Sequence, residues 1–354
     1  MMPGERIPRR CSPTPRSDWQ TTQPRTMKAV ISARYGSPDV LEIRQVPKPE
    51  PRAGEVLVRV HATTVSRTDC GMLRPHPFFV RFVAGLLRPR RTILGMDFAG
   101  VVEAVGAGVA SFKPGDRVFG LSPDEYGAHA EYLCVPETGA IATMPAAGFG
   151  EVVVCEGAWY ADTYLQAFRV GSGHSLLVYG ASGAIGTAAV QLAKSYGARV
   201  TAVVATRHLD LVRTLGADRA VDYTAQDFTQ MGETFDFVFD AVGKTSFFRC
   251  RRLLKPGGVF AATDLGPWCQ NPLLAIGSSI RGSHRVMFPL PQSSKARAFV
   301  DLLKTRLEAG EFRGVIDRAY RLEAIADAYR YVETGQKTGI VVVNVRPADG
   351  TTHA

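Results

Sequence analysis

Residues 175–192 read SLLVYGASGAIGTAAVQL, and this stretch decides the fold. Leu176-Leu177-Val178-Tyr179 is a short apolar run that leads straight into Gly180, Gly183 and Gly186. Ile185, Ala188, Ala189, Leu192 and Ala193 then recur at helical spacing. The pattern predicts a strand, a tight glycine turn and a helix start. Glycines let the backbone turn sharply and approach a diphosphate closely, and a helix N-terminus offers free N–H groups and the positive end of its dipole. A dinucleotide is the expected ligand, with Ser182, Ala184 and Ile185 completing the loop.

Reading outward, the second strand ends near Val204-Ala205, about 20 residues past the loop, where such a fold reads the adenosine ribose. A carboxylate there accepts the 2′-hydroxyl of NAD. This chain has Ala205-Thr206-Arg207-His208 instead. A guanidinium fork and a hydroxyl suit a 2′-phosphate, so NADPH is expected over NADH. The competing reading makes Arg207 a solvated residue opening the next helix. Asp240-Ala241-Val242-Gly243 closes the fourth strand and is expected to line the nicotinamide ribose; Asp240 serves equally well as a cap for the next helix. Tyr223 is placed beside the adenine or at a half-buried boundary. Leu265 and Lys337 complete the cofactor-binding set.

The chain has 354 residues, enough for two domains, with 45% hydrophobic and 21% charged residues, as in an ordinary globular protein. Its longest apolar cluster, Phe78 to Leu87, is interrupted by Arg81 and is too short to span a membrane. The net charge is +9. Residues 1–26 contribute five arginines against Glu5 and Asp18, with prolines at 3, 8, 13, 15 and 24. That composition predicts a disordered leader without the apolar core of a secretory signal, and its two acids argue against a transit peptide. Met27 reads as the start of the folded chain. The six cysteines, at 11, 70, 134, 155, 250 and 269, form no CxxC pair, which excludes a zinc ribbon or a disulfide framework and predicts free thiols in a cytoplasmic protein.

The rhythm of the chain divides it. Short strands with Pro and Gly punctuation predict a β-rich unit from residue 27 to 150. Alternating apolar strands and helices over 151–290 predict a doubly wound parallel sheet, including a helix over Thr245–Leu254. The last helices and the strand Gly339–Val345 are expected to return to the first unit, giving 291–345 to it and leaving 346–354 as a tail. The fold class is therefore α/β.

The order of motifs resembles the medium-chain dehydrogenase/reductase superfamily, in its zinc-free branch close to quinone oxidoreductases. The resemblance covers 27–345 and rests on Gly54-Glu55-Val56-Leu57-Val58, Gly95-Met96-Asp97-Phe98-Ala99-Gly100, Pro114-Gly115-Asp116-Arg117-Val118, the glycine loop, Leu215-Gly216-Ala217-Asp218 and Lys337-Thr338-Gly339. It implies a GroES-like catalytic domain, a Rossmann domain, and an active site in the cleft between them. Zinc-dependent members hold the metal with Cys, His-Glu and a later Cys or Asp; here Ser66, Met96 and Asp97 stand at the first positions, with Cys155 near the third. A zinc site needs three protein ligands and an open position, so no zinc is expected.

Without a Lewis acid, the favoured reaction is NADPH-dependent hydride transfer to a quinone or an α,β-unsaturated carbonyl, which already delocalises the incoming electrons onto oxygen. An alcohol or aldehyde dehydrogenase is the alternative within the family, and a dinucleotide- or RNA-binding protein the alternative outside it. No aromatic and basic stacking surface favours nucleic acid. Ser66, Asp69 and Tyr160 are the candidate catalytic residues, with Tyr126 a further donor. The resemblance implies a small hydrophobic carbonyl or quinone substrate and a homodimer paired near Ser279–Met287. It places Phe78–Arg91 at the substrate entrance, either as an apolar lid or as a helix packed on the β unit.

Overall fold

The computed structural model describes residues 26–346 except 77, 79, 267–269 and 279–283. The expected leader and tail, Cys11, Cys269 and part of the expected dimer strand therefore lie outside the described residues, although Thr26 already pairs with Pro47.

The first half is β-rich. Strands β1 (Thr26–Ile31) and β2 (Glu42–Pro47) form an antiparallel pair. A larger sheet is built from β3 (Glu55–Val65), β4 (Asp97–Val105), β5 (Arg117–Leu121), β6 (Tyr132–Pro136) and β7 (Ile141–Thr143). Helices α1 (Arg67–Leu73) and α2 (Val80–Ala84) fill the connection from β3 to β4. Helices α3 (Phe149–Val152) and α4 (Cys155–Phe168) lead out of this half.

The second half alternates. β8 (Ser175–Tyr179), α5 (Ala184–Ser195), β9 (Arg199–Val204), α6 (Leu209–Thr214) and β10 (Arg219–Asp222) form one wing. β11 (Phe235–Asp240), α7 (Phe247–Cys250), β12 (Leu254–Ala262), α8 (Gln270–Ser278) and β13 (Arg285–Met287) form the other. The six strands are parallel in the order β10-β9-β8-β11-β12-β13, so the order reverses beside β8. Ligands bind at that switch point, outside the carboxyl ends of the strands.

The chain then passes through α9 (Ser293–Glu308), β14 (Ile316–Arg321), α10 (Ile325–Glu333) and β15 (Ile340–Asn344). β15 pairs antiparallel with β3, carrying the tail back into the first sheet, and β14 adds to β15 as a parallel edge. Sequence reasoning does not find β14, because IDRAYR alternates only weakly and is mostly exposed. The helix expected over Thr245–Leu254 shrinks to the four residues of α7 and a 3-10 turn at Arg251–Leu253. The Asp240 carboxylate accepts the backbone N–H groups of Val242, Gly243 and Thr245, at 3.1, 2.8 and 2.7 Å, which holds this segment as a loop.

One apolar core joins the two halves. It runs from Met96 and Phe119 in the first sheet through Trp159, Tyr164 and Leu165 of α4 to Leu176 and Val178 of β8. Tyr164 stacks on Phe239 at 4.7 Å and donates its hydroxyl proton to the Ala262 carbonyl at 2.9 Å. Gly157 lets the start of α4 cross the start of α5, where an added methyl would lie 3.0 Å from the Ala184 Cβ. Gly186 has a stricter duty. A methyl there would come within 2.2 Å of the Gly180 carbonyl oxygen and 2.6 Å of the Ala181 Cα, both backbone atoms of the turn on which α5 sits. Gly186→Ala is expected to lower the unfolding free energy by about 1–3 kcal/mol through overpacking, read from the urea midpoint; an unchanged midpoint would show that α5 can lift off the turn freely.

Candidate active site

The carboxyl ends of β8, β9, β10, β11 and β12 line one crevice. Gly180 turns the chain at φ +74°, and a methyl on it would strike Val242 Cγ2 at 2.5 Å, so the loops after β8 and β11 close on each other. Gly183 differs: the nearest atom to an added methyl is the Gly180 carbonyl oxygen at 3.7 Å, so this side of the loop opens outward. Gly183 is also the N-cap of α5 and supplies no side-chain cap. The first amides of the 12-residue helix, at Ala184, Ile185 and Gly186, thus lack intrahelical acceptors, as a diphosphate site requires. Ser182 presents its carbonyl to the other side, accepting from the Gly339 N–H at 2.7 Å. Asp240 is fully buried with its carboxylate taken up by the loop, so it shapes the crevice through Ala241, Val242 and Gly243 without reaching a ligand itself. Burial pushes its carboxyl up to about 6. Val242 is 40% exposed at the mouth, and partly exposed Leu265 follows β12.

Beyond the ends of β8 and β10, Tyr223, Tyr179, Phe228 and Arg249 line a cavity of about 380 Å³. Tyr223 lies 6.0 Å from Tyr179, which stacks on Phe228 at 4.9 Å. Arg207 is exposed, and its Nε donates to His208 Nε2 at 2.9 Å, which leaves the terminal nitrogens facing outward. Burial and the neighbouring Arg207 charge lower the His208 pKa, so its imidazole is a neutral acceptor. Thr206 is engaged differently from the sequence expectation: its hydroxyl donates to Asp222 Oδ2 at 2.6 Å. Asp222, at the end of β10, is an acid beside this site that sequence reasoning misses, because 16 residues separate it from Thr206 and only the pairing of β9 with β10 brings them together.

The opposite wall is polar. Ser66 caps α1: its hydroxyl accepts from the Asp69 N–H at 3.1 Å, and Asp69 Oδ2 accepts the Ser66 N–H and hydroxyl at 2.9 Å each. Asp69 Oδ1 accepts the Gly95 N–H at 3.1 Å. Asp69 is 1% exposed, so it acts on the pocket only through the Ser66 and Gly95 it holds. Burial raises its carboxyl to about 6. Asp97 is also buried; Oδ1 accepts the Glu156 N–H at 2.8 Å and Oδ2 the Thr64 hydroxyl at 3.2 Å, capping α4 where that helix has no side-chain cap of its own. Tyr126 packs across two cores with a left-handed backbone, φ 58°.

Glu156 stands out in this wall. It is 6% exposed, and its Oε2 has no partner. Burial, and then the Asp69 charge, push its carboxyl up to about 7, against the Ser66 and Thr68 hydroxyls and the cation of Lys337. The partly exposed Tyr160 sits one turn later on the same face of α4, and the Thr68 hydroxyl favours the ionised form of both groups. Burial and the Glu156 charge raise the Tyr160 pKa, which keeps the phenol protonated. Burial lowers Lys337 to about 8; its ammonium donates to the Gly339 carbonyl at 2.5 Å, beside the glycine loop. The four-residue spacing of Glu156 and Tyr160 is visible in the sequence, but nothing there shows that a carboxyl in an apolar stretch faces the cleft.

Known proteins resemble this chain over most of its length. Residues 52–159 match the alcohol dehydrogenase GroES-like domain, and residues 215–343 match the zinc-binding dehydrogenase model. The chain is 31% identical over 339 residues to the NADPH-dependent alkenal/one oxidoreductase, chloroplastic, of Arabidopsis thaliana, covering 90% of this chain and 80% of that one. This chain belongs to the medium-chain dehydrogenase/reductase superfamily. As a member of it, the protein is an oxidoreductase with a GroES-like and a Rossmann-like domain. It is 30% identical over 328 residues to the quinone oxidoreductase of Sus scrofa, with 87% and 94% coverage. The quinone oxidoreductase of Coxiella burnetii superposes with a TM-score of 0.79 at 24% identity, over 91% of this chain and all of that one, which shows the shared fold.

Although the second matching family is described as zinc-binding dehydrogenases, the residues present offer little to a metal. Ser66 offers a hydroxyl already engaged in a helix cap, Met96 is a buried thioether, and the Asp97 carboxylate braces α4. Cys155 is fully buried and is the one thiol at these positions, so the set lacks the three ligands a zinc site needs. This donor set does not fit a zinc ion.

Arg207→Ala is expected to weaken NADPH binding about tenfold or more, since one charge-assisted phosphate contact is worth roughly 1.5–3 kcal/mol, while leaving NADH affinity unchanged. Titrating wild-type and variant protein with each cofactor, followed by cofactor fluorescence, checks this, and an equal loss for the two cofactors would remove Arg207 from the 2′-phosphate.

Proposed function

We propose that this oxidoreductase transfers hydride from NADPH to a quinone or an α,β-unsaturated carbonyl without a metal. One observation carries the reading. In the wall across from the glycine loop, Glu156 is buried with an unpartnered oxygen one helical turn before the Tyr160 phenol, and burial favours the protonated form of each. NADPH supplies the hydride when bound; the open face at Gly183, the free amides at the start of α5 and the outward Arg207 are the residues that would hold it. The names of the Arabidopsis and pig relatives support the same substrate class.

The chain's own chemistry is proton supply. When the β carbon of an enone, or a quinone ring, accepts a hydride, negative charge collects on the oxygen. Tyr160 donates its proton to that oxygen, and Glu156 restores the proton through Thr68, drawing finally on water. Ser66 and Asp69 fix the start of α1 and hence Thr68. Lys337 ties this wall to the glycine loop, so the proton source and the cofactor are held by one segment.

β13 ends the six-stranded sheet with an open edge, which supports pairing with a second copy there. Cys70, Cys134, Cys155 and Cys250 are free thiols, which favours a reducing compartment such as the cytoplasm. No helix among the described residues is long and apolar enough to cross a membrane.

Oxidation of NADPH in the presence of enones, quinones, aldehydes and alcohols tests the assignment. Enones and quinones are expected to turn over and saturated alcohols not; stoichiometric zinc in active protein would overturn it. The proton route has its own signature. Glu156 carries its proton up to about 7 instead of the ordinary 4.5, so kcat should fall as pH rises through about 7. Glu156→Gln keeps the shape but has no proton to give; kcat is expected to drop about 10- to 100-fold and the limb near neutrality to vanish, with NADPH affinity intact. Persistence of that limb would assign it to another group. Tyr160→Phe is expected to cost about 10²-fold in kcat with little change in cofactor binding.

A further inference from the structure

Between Asp69 and Asp97 the chain has five arginines and not one acidic residue. The same segment carries the most concentrated apolar exposure among the described residues: Phe78 is 66% exposed, Phe82 65%, Leu86 55% and Leu87 85%. A loose loop would hide such side chains by collapsing. This one is built to hold them out. The Tyr35 hydroxyl donates to the Gly85 carbonyl at 2.6 Å, and the Arg90 N–H returns to the Ala84 carbonyl at 2.8 Å. Arg81 lies 4.8 Å over the Tyr35 ring and donates to the Leu86 carbonyl at 3.1 Å. Gly85 makes the turn at φ +123°, where a methyl would lie 2.1 Å from the Arg88 carbonyl oxygen, so only glycine fits.

Charge separates the occupants. Arg74 is paired with Glu333, and Arg91 with Glu125 at 2.8 Å. Arg88 and Arg90 are exposed and make no ion pair among the described residues. A second copy docked about a two-fold axis would bring this basic patch against itself. An anionic lipid surface satisfies both components, with the Phe and Leu side chains entering the interface and the guanidinium groups meeting lipid phosphates. We propose that the face formed by Phe78, Phe82, Leu86, Leu87, Arg88 and Arg90 docks the enzyme reversibly on anionic membranes. This goes beyond the assignment of activity and does not depend on it; its functional sense is access to acceptors that dissolve in lipid.

Co-sedimentation of the full chain with phosphatidylcholine vesicles, with and without phosphatidylserine, tests the proposal. Binding is expected on the phosphatidylserine vesicles, at least about tenfold stronger than on phosphatidylcholine alone and declining with salt. Leu86→Ser/Leu87→Ser is expected to reduce it at least about tenfold, and Arg88→Gln/Arg90→Gln to flatten its salt dependence, each with the unfolding midpoint unchanged as evidence of an intact fold. Equal partition onto both vesicle types would overturn the proposal. So would undiminished binding by the Leu86/Leu87 variant, or a variant that dissociates a dimer while wild-type protein ignores vesicles.

Discussion

The hydrogen bond from the Gly339 N–H to the Ser182 carbonyl, 2.7 Å long, is the join on which the cleft depends. Ser182 belongs to the glycine turn of the parallel sheet, and Gly339 immediately precedes β15, a strand of the other sheet. Gly339 adopts φ +62°, and a methyl there would lie 2.0 Å from the Val315 carbonyl oxygen, so the close approach needs glycine. Together with the packing of α4 on α5 at Gly157 and Ala184, this contact holds the glycine loop against the other half of the molecule. Lys337, two residues earlier, is thereby brought to both. The tail of the chain acts as a strap that places the two halves of the chemistry opposite each other.

The buried carboxylates divide by how fully they are satisfied. Asp69, Asp97 and Asp240 are each almost wholly buried, and each accepts backbone N–H groups at a turn or a helix start. Such groups are braces: they accept from backbone donors that would otherwise be buried unpaired. Glu156 lies in the same low-dielectric wall with one oxygen unpartnered. Burial outweighs the hydroxyls and the Lys337 cation around it and favours the neutral acid, the form that the proposed proton supply requires. Asp69, Asp97 and Asp240 thus brace the backbone, while Glu156 keeps an oxygen free for the proton role proposed for it.

Much of the fold is legible in local patterns. The turn Gly180–Gly186, the apolar strands around it and the return of Gly339–Val345 to the first sheet all follow from periodicity and glycine placement. The errors have physical causes too. Helical spacing over Thr245–Leu254 predicts too long a helix, because Asp240 holds Thr245 in the preceding loop, Ser246 caps the start, and the chain past Cys250 tightens into a 3-10 turn before entering β12 at Leu254. β14 escapes a reading by pattern because an exposed edge strand has no core-facing stripe to reveal it. The pairing of Thr206 with Asp222 is invisible in the sequence because it is made by neighbouring strands, not by neighbouring residues.

By itself the sequence determined the doubly wound sheet, the dinucleotide loop, the family and the loss of the usual zinc ligands. Each is written in residue types at short spacings, where backbone sterics and periodicity act. The tertiary structure alone decided which acids are braces and which is unsatisfied, that Thr206 is held by Asp222, and that the Leu86–Arg90 turn points outward. Those properties depend on burial and on partners from distant segments. Desolvation is set by everything packed around a group, and no local stretch of chain encodes it.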